Sequence, residues 1–363
     1  MMGSLHAVIM AGGSGTRFWP ASRQSRPKQL LPLCDGEPMI RAAVARVSSC
    51  CSPAHTWIVT HEAQRAATLA LLPDFPKEQV ILEPEARDTA PCVALAVAAI
   101  SARDPDATIV VLPADHAIEP VSEVARMLER AAGIAADGQT IVTFGVPPSY
   151  PATGYGYIEL GQARDAAAPR AFAVTQFREK PDLATAERFV REARHWWNTG
   201  IIVFQARAML EQMRRHCPEL AAATEGMARA SASGDADALA TAFRAAPKTS
   251  IDFAVMEKAD ALAVVECTAS WDDVGGFAAL TRVLDADDQG NHRSLHGEAA
   301  AQLVESEGNV VYAEGPRTVT LFGVEGLVVA AVGDAVLVCP KDRAEELKKV
   351  VEQLRATGRE DLL

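Results

Sequence analysis

The stretch AVIMAGGSGTRFWPASRQSRPKQLLPL, residues 7–33, decides how the chain is read. It opens as a short apolar run, breaks at glycines 12, 13 and 15, and continues into the basic residues Arg17, Arg23 and Lys28. Glycines at the end of a strand let backbone N–H groups approach a polyphosphate or a base, where a side chain would stand in the way. Arg17 and Lys28 are then placed to neutralise phosphate. A glycine turn after a strand is often only a turn, however, and the two best-known phosphate motifs fail here. A dinucleotide fingerprint beginning at Gly13 needs glycine where Phe18 stands, and GK[ST] is absent.

Outward from this segment, apolar runs alternate with helix-like stretches. Residues 7–10, 57–60, 79–82, 108–112 and 140–144 read as strands, and residues 38–47, 62–71, 90–102 and 121–136 as helices between them. That rhythm predicts a doubly wound α/β core around a mostly parallel sheet. After residue 143 the rhythm changes, and residues 154–159, 173–179 and 197–204 predict further, partly antiparallel strands extending the sheet over a substrate. Residues 206–243 read as helical and loop-like, with a surface loop at 230–234. Residues 285–296, dense in Asp, Gly, Asn and His, read as a linker. Beyond it, residues 309–312, 318–322, 327–332 and 335–338 are short strands set off by glycines, with a helix at 344–354. No tandem repeat stands out, although such evenly spaced strands can coil as a β-helix. The expected division is therefore a catalytic unit, residues 1–285, and a β-rich unit, residues 286–363.

Bulk properties narrow the function. The chain has 363 residues, 49% hydrophobic and 23% charged, with a formal net charge of -12. That acidity disfavours a general nucleic-acid binder, so phosphate must be held by a few local basic residues. No stretch is long and apolar enough to cross a bilayer, and the start shows no basic leader or cleavage-like site, so the expectation is a cytoplasmic protein without membrane attachment. The seven cysteines form no CxxC pair, which favours free, buried thiols over zinc or redox centres. No Ser-His-Asp order, HExxH motif or nucleophilic cysteine setting appears, and covalent catalysis is not expected.

Three other segments carry chemistry. VVLPADHAI, residues 110–118, is an apolar strand ending in Asp115 and His116. A carboxylate at that edge lies where open α/β sheets bind ligands and suits a hard cation, and it serves equally well as a helix cap. LEPEARDTAPCVALA, residues 82–96, carries a strand into a helix through Pro84, Asp88 and Pro91, a pattern that by itself is a cap. TGYGYIE (153–159), FREKPD (177–182) and WNTGIIVF (197–204) put small and polar residues beside strand ends, where sugar hydroxyls need directional partners.

Together these residues resemble a known family. GGSGTRFWPASRxxxPKQ is similar to the signature of the nucleotidylyltransferases that make nucleotide sugars, with Trp19 and residues 27–29 pointing to the mannose-1-phosphate guanylyltransferase branch. The resemblance implies that Gly12, Gly13, Gly15, Thr16, Arg17 and Lys28 wrap the nucleotide, with the arginine and lysine on its triphosphate. It implies a base pocket at Glu85, Arg87 and Thr89. Asp88 stands where the family usually has asparagine, so any contact inferred at that position is weakened. It implies that Asp115 and Asp273, the latter from WDDVGG at 271–276, together hold Mg2+ between the nucleotide and the sugar phosphate. Asp272 and His116 are expected to be structural. Gly154, Glu179, Lys180, Asn198 and Asp273 are implied for the sugar phosphate, with Trp197 as packing, and SIDFAVMEK at 250–258 is read as a structural helix face.

The implied fold ends in a short left-handed β-helix. The implied reaction joins GTP and mannose 1-phosphate into GDP-mannose, and a homodimer through the C-terminal strands is a further expectation. Two alternatives remain open: a sister enzyme with another sugar phosphate or nucleotide, and an idle regulatory subunit. Retention of both acids with Arg17 and Lys28 speaks against the second.

Overall fold

A strand with parallel neighbours on both sides and helices over both faces is largely apolar, and LHAVIM meets that demand apart from His6, whose ring accepts from the Trp57 indole. In the computed structural model, which describes residues 4–13, 15–34 and 36–363, β1 (Leu5–Met10) pairs in parallel with β2 (Thr56–His61) and β4 (Thr108–Pro113). β3 (Val80–Glu83) joins β2, giving the block β3-β2-β1-β4. The helices between them are α1 (Met39–Val47), α2 (Glu62–Leu71) and α3 (Thr89–Ser101), and α4 (Val121–Ala135) follows β4 and the short β5 (Ala117–Glu119).

The sheet continues through β6 (Ile141–Val146), β7 (Tyr157–Ala163), β8 (Ala171–Arg178), β9 (His195–Gln205) and β10 (Leu262–Glu266). Its nine strands run β3-β2-β1-β4-β9-β6-β10-β8-β7. The α/β class expected from the alternation is present. The placement of β9 differs from expectation: it does not extend an edge but lies antiparallel between β4 and β6, in mid-sheet. Val, Ile and Phe on both of its faces suit a strand buried on both sides, and this burial carries Asn198 and Thr199 into the interior. The strand expected at 154–159 begins only at Tyr157. The loop expected at 230–234 is instead the end of a helix, Pro218–Ser233, because its Ala and Ser continue a helix until Gly234 takes φ 70°.

Two apolar layers cover the sheet. α3 is buried on nearly every side, held between the sheet and helix Pro218–Ser233, which is why TAPCVALAVAAIS shows no polar stripe. α1 and α4 cover the other face.

Past β11 (Ser270–Asp272), the chain coils through β12 (His292–His296), β13 (Ala300–Val304), β14 (Val310–Glu314), β15 (Thr318–Phe322), β16 (Leu327–Val332) and β17 (Ala335–Pro340). β12, β14 and β16 stack in parallel, as do β13 and β15. Buried asparagines form a ladder with a spacing of 18 residues: Asn309 donates through its backbone N and Nδ2 to Asn291 Oδ1 at 3.0 Å, and Leu327 N donates to Asn309 Oδ1 at 2.9 Å. β12 and β13 went unread in the sequence, and the expected linker at 285–296 ends as β12. The final helix divides into a 3-10 segment, Lys341–Leu347, and an α-helix, Lys348–Ala356.

The coil braces the glycine-rich segment. Phe18, Trp19, Leu31, Phe277, Tyr312 and Leu347 share one buried cluster. Arg17 pairs with Glu345 (3.2 Å), Arg23 with Asp334 (2.9 Å) and Arg26 with Glu314 (2.6 Å), and the Trp19 indole N–H donates to the Leu362 carbonyl (2.8 Å).

Candidate active site

Gly15 has φ 61°, and a Cβ there would run into Lys28, so this position requires glycine for both its backbone and its space. The turn is held closed by the Ser22 hydroxyl, which donates to the Gly15 carbonyl at 2.6 Å, and Thr16 opens a one-turn 3-10 helix, Thr16–Phe18. The result presses Lys28 inward, 5% exposed. A buried ammonium needs anionic or carbonyl partners. Lys28 Nζ donates to Asp115 Oδ2 at 2.8 Å and to the Asp273 backbone carbonyl at 2.6 Å.

Lys28 thus joins the two acids, which come from chain segments far apart. Asp115 follows the C-terminal end of β4. Burial pushes its carboxyl pKa up, but the charges of Lys28 and then His116 outweigh this and hold it below the usual carboxylate range. Asp273 follows β11, and its carboxylate accepts from the Tyr155 hydroxyl at 2.8 Å, with Arg282 3.9 Å away. Arg17 is close: a Cβ on Gly275 would lie 3.2 Å from Asp273 Oδ2 and 3.6 Å from Arg17 Nη1. Val274, wholly buried, has φ 45°, an outlier for a β-branched residue that the Asp272 carboxylate stabilises by accepting from Val274 N at 2.8 Å. Asp272 also pairs with Arg282, so its structural reading agrees with its contacts. His116 is likewise engaged, accepting from the Trp271 indole at 3.2 Å.

A cavity of about 430 Å³ opens beside Lys28, lined by Gly12, Gly13, Glu83, Arg87, Thr89 and Asp115 among others. It lies at the C-terminal ends of β1, β3 and β4, the ligand edge of an open α/β sheet. Arg87 donates to Glu85 (2.6 Å) and to the Ala246 carbonyl (2.6 Å); Glu85 also faces Arg244 (3.5 Å), is half exposed, and does not line this cavity. Thr89 accepts from Ile251 N at 2.9 Å, tying the cavity wall to the 250–258 segment. Asp88 has φ 80° and caps α3 by accepting from Thr89 N at 2.7 Å, a role a carboxylate fills as well as an amide. A second cavity of about 440 Å³ is lined by Tyr150, Tyr155, Trp197, Trp271, Asp272 and Arg282 among others, and Tyr155 and Arg282 also reach Asp273.

The residues implied for the sugar form an acid-rich group. Asn198 accepts from the Thr143 hydroxyl (2.7 Å) and donates to Asp252 Oδ1 (3.2 Å), while Lys180 Nζ lies 3.2 Å from Glu179 Oε1. Burial, then the charge of Glu179, pushes Asp252 up to about 7, and burial raises Glu179 as well. Gly154 is outside this group, exposed and with open space around it. The glycine that matters is Gly156, where a Cβ would come within 2.5 Å of Glu179 Oε2. Trp197 packs in a buried cluster, as expected.

Sequence reading missed Glu83, Tyr155 and Asp252. The apolar residues around Asp252 disguised it as part of a structural segment. In fact Ile251 and Ala254 pack inward while Asp252 meets Asn198. All seven cysteines are free, but only Cys51, Cys92 and Cys267 are buried, where most were expected to be.

A glycine loop on the first strand, a buried lysine and two acids from distant strand ends sit on a nucleotidyl-transferase fold. The chain belongs to the nucleotidyl transferase family, whose model matches residues 6–290, and a second model, the MannoseP isomerase/GMP-like beta-helix domain, matches residues 301–354. Its relatives identify the branch more narrowly. The mannose-1-phosphate guanylyltransferase ManC of Salmonella typhimurium is 38% identical over 98% of this chain and 74% of its own length. The xanthan biosynthesis protein XanB of Xanthomonas campestris is 38% identical over 99% of this chain and 75% of its own. A crystal structure from Thermus thermophilus, described as a mannose-1-phosphate geranyltransferase, superposes with TM-score 0.86 at 36% identity, covering 97% of this chain and 99% of that one.

Proposed function

We propose that this protein transfers the GMP unit of GTP to mannose 1-phosphate, giving GDP-mannose and pyrophosphate. The observation that carries the reading is the buried Lys28 ammonium, joined to Asp115 and Asp273 at the mouth of the glycine-lined cavity. The guanylyltransferase names of its relatives, which align over nearly the whole chain, supply the substrates.

The chemistry follows from charge. A phosphate oxygen of the sugar phosphate attacks the α-phosphorus of GTP, a new P–O bond forms, the bond to the bridging oxygen of the β-phosphate breaks, and pyrophosphate leaves. The attacking oxygen is already anionic at neutral pH, so no base is needed. The obstacle is repulsion between two polyanions. Lys28 and Arg17 oppose it on the nucleotide side and Lys180 on the sugar side, while the backbone at Gly12, Gly13 and Gly15 admits the phosphates closely. Thr16 sits within the same turn, and Arg87 and Thr89 form the opposite wall.

Mg2+ fits the donor set by its chemistry. Asp115 and Asp273 offer only oxygen, the ligand type of a hard cation that takes one or two carboxylates and completes its shell with phosphate and water. When bound, it would supply charge compensation to both phosphates. Tyr155 and Arg282 orient Asp273 for that role, and Glu179, Asn198 and Asp252 supply acceptors for sugar hydroxyls. In this reading residues 1–285 carry the chemistry and residues 286–363 brace the loop.

Pyrophosphate release across a matrix of nucleoside triphosphates and sugar 1-phosphates tests the proposal. GTP with mannose 1-phosphate should give the largest kcat/KM. A larger value for another pair, or no release with any pair, overturns it.

A further inference from the structure

The group implied for the sugar rests on a buried hydroxyl. Thr143 lies in β6 among Ile141, Val142 and Phe144, wholly buried. Valine has nearly the same shape and would bring no polar atom to satisfy, so a hydroxyl in this place calls for a partner. It has one proton and two carbonyl oxygens in reach, Asn198 Oδ1 at 2.7 Å and the Ile201 backbone carbonyl at 3.0 Å, and the amide is the nearer. The meeting with Asn198 depends on an irregularity in the sheet. β6 and β9 pair at Thr143 with Ile202 and again at Gly145 with Asn198, so residues 199–201 stand against Phe144 alone. Gly200 takes φ 72° within that bulge. In an unbroken register Asn198 would oppose Pro147, four residues along β6 from Thr143. The bulge shortens this to two, which makes Thr143 and Asn198 diagonal neighbours on one face.

An amide has two ends of similar shape and opposite hydrogen-bonding character, so it serves a ligand well only when its orientation is fixed. At Asn198 both ends are specified. Thr143 donates to Oδ1, and Nδ2 donates to Asp252 Oδ1 at 3.2 Å. Turned over, the amide would set its oxygen against the Asp252 carboxylate. The Thr143 contact is the shorter of the two, and it comes from the interior of a strand, whereas Asp252 sits on a helix of four residues, Ile251–Ala254. The Asn198 backbone N–H donates to the Gly156 carbonyl at 2.8 Å, which seats the amide beside the glycine against which Glu179 closes. We propose that Thr143 is a positioning residue: its hydroxyl holds the Asn198 amide so that one lone pair of Oδ1 and one hydrogen of Nδ2 remain for the hydroxyls of the sugar. The inference rests on the reading of Asn198 as a sugar contact and deepens it.

Initial rates of pyrophosphate release, with GTP and mannose 1-phosphate varied in turn, test this in Thr143→Val, Thr143→Ser, Asn198→Ala and the variant combining Thr143→Val with Asn198→Ala. Loss of one neutral hydrogen bond should raise KM for the sugar phosphate by about 3- to 10-fold in Thr143→Val, with KM for GTP within about 2-fold of wild type. Thr143→Ser keeps the hydroxyl and should return KM for the sugar phosphate to within about 2-fold of wild type. A hydroxyl that only braced the bulge through Ile201 would act alike with or without Asn198. Acting through the amide, it should lose its effect there: in the Asn198→Ala background Thr143→Val should change KM for the sugar phosphate by less than about 2-fold. The same factor in both backgrounds, or a wild-type KM in Thr143→Val, overturns the inference and leaves Asn198 at the sugar. A wild-type KM for the sugar phosphate in Asn198→Ala overturns both the inference and the sugar contact on which it rests. Should Thr143→Val fail to fold, Thr143→Ala takes its place in the cycle, with the same results expected and the same results overturning it.

Discussion

At the Lys28 junction each charge meets a partner within hydrogen-bonding distance, whereas in the recesses on either side carboxylates are buried without adequate ones. Lys28 has Asp115 and a carbonyl, and Asp273 has Tyr155. Glu83 has only a distant His61, and Asp252 has one 3.2 Å contact from Asn198 and like charges around it. On the proposed assignment, the difference follows from what each region would receive. Phosphates bring negative charge, so their seat must be assembled and cationic beforehand. Bases and sugars bring N–H and O–H groups, so their seats hold acceptors in reserve, at some expense to the empty fold.

The sharpest way to break the contrast is Lys28→Ala. It removes the ammonium and leaves Asp115 without its partner, and kcat/KM should fall by at least ~10³-fold while circular dichroism remains native. Near-normal pyrophosphate release would end the phosphate-seat reading. Next come Asp115→Asn and Asp273→Asn. Each should lower kcat by about 10²- to 10³-fold and shift the Mg2+ concentration for half-maximal rate upward, because each removes a hard anionic ligand. A loss of rate without a shift would make these residues positional only.

A smaller effect is expected on the sugar side. Asp252→Asn should raise KM for the sugar phosphate about 10-fold with little change in that for GTP, since one acceptor loses its charge. The same variant tests the reserve acceptors through pH. Burial, then the charge of Glu179, raises Asp252 from 3.8 to about 7, with Lys180 opposing the rise and Asp88 adding to it. A folded-state pKa above the unfolded one means that the contribution to stability is fully present below about pH 4 and is lost as pH rises through about 7. The ligand-free wild type should therefore lose Tm between about pH 4 and 7 more steeply than Asp252→Asn, and parallel curves would refute the shift. Least consequential is Glu345→Gln. Its pair with Arg17 is largely solvent-exposed, so stability should change by less than ~1 kcal/mol while KM for GTP falls about 2-fold as Arg17 is released.

How much was legible in the sequence follows the same division. The junction of Lys28 with Asp115 and Asp273 could be read because glycines, Arg17 and Lys28 are packed into one short segment and both acids follow recognisable strands. Glu83 and Asp252 could not, because a single acid at a strand end or among apolar residues looks like a cap or a solvated position until its burial is known. The mid-sheet position of β9 rests on pairings between distant segments, which local periodicity does not encode. The coil was only half read, yet its period was written in the glycines. Gly290, Gly308 and Gly326, and again Gly297, Gly315 and Gly333, recur at the spacing of the asparagine ladder, each with positive φ. The strands between them differ too much, HRSLH against VVYAE, for side-chain similarity to show it.

The brace around the signature loop has a consequence for the order of synthesis. Trp19 is tied to a carbonyl 343 positions later, and Arg23 to an acid 311 positions later. During translation, strands and helices from the first half can pack as they emerge, but the arginines near residue 20 must wait for the coil before they find their anions. The signature loop is therefore the part of the first half that is completed last.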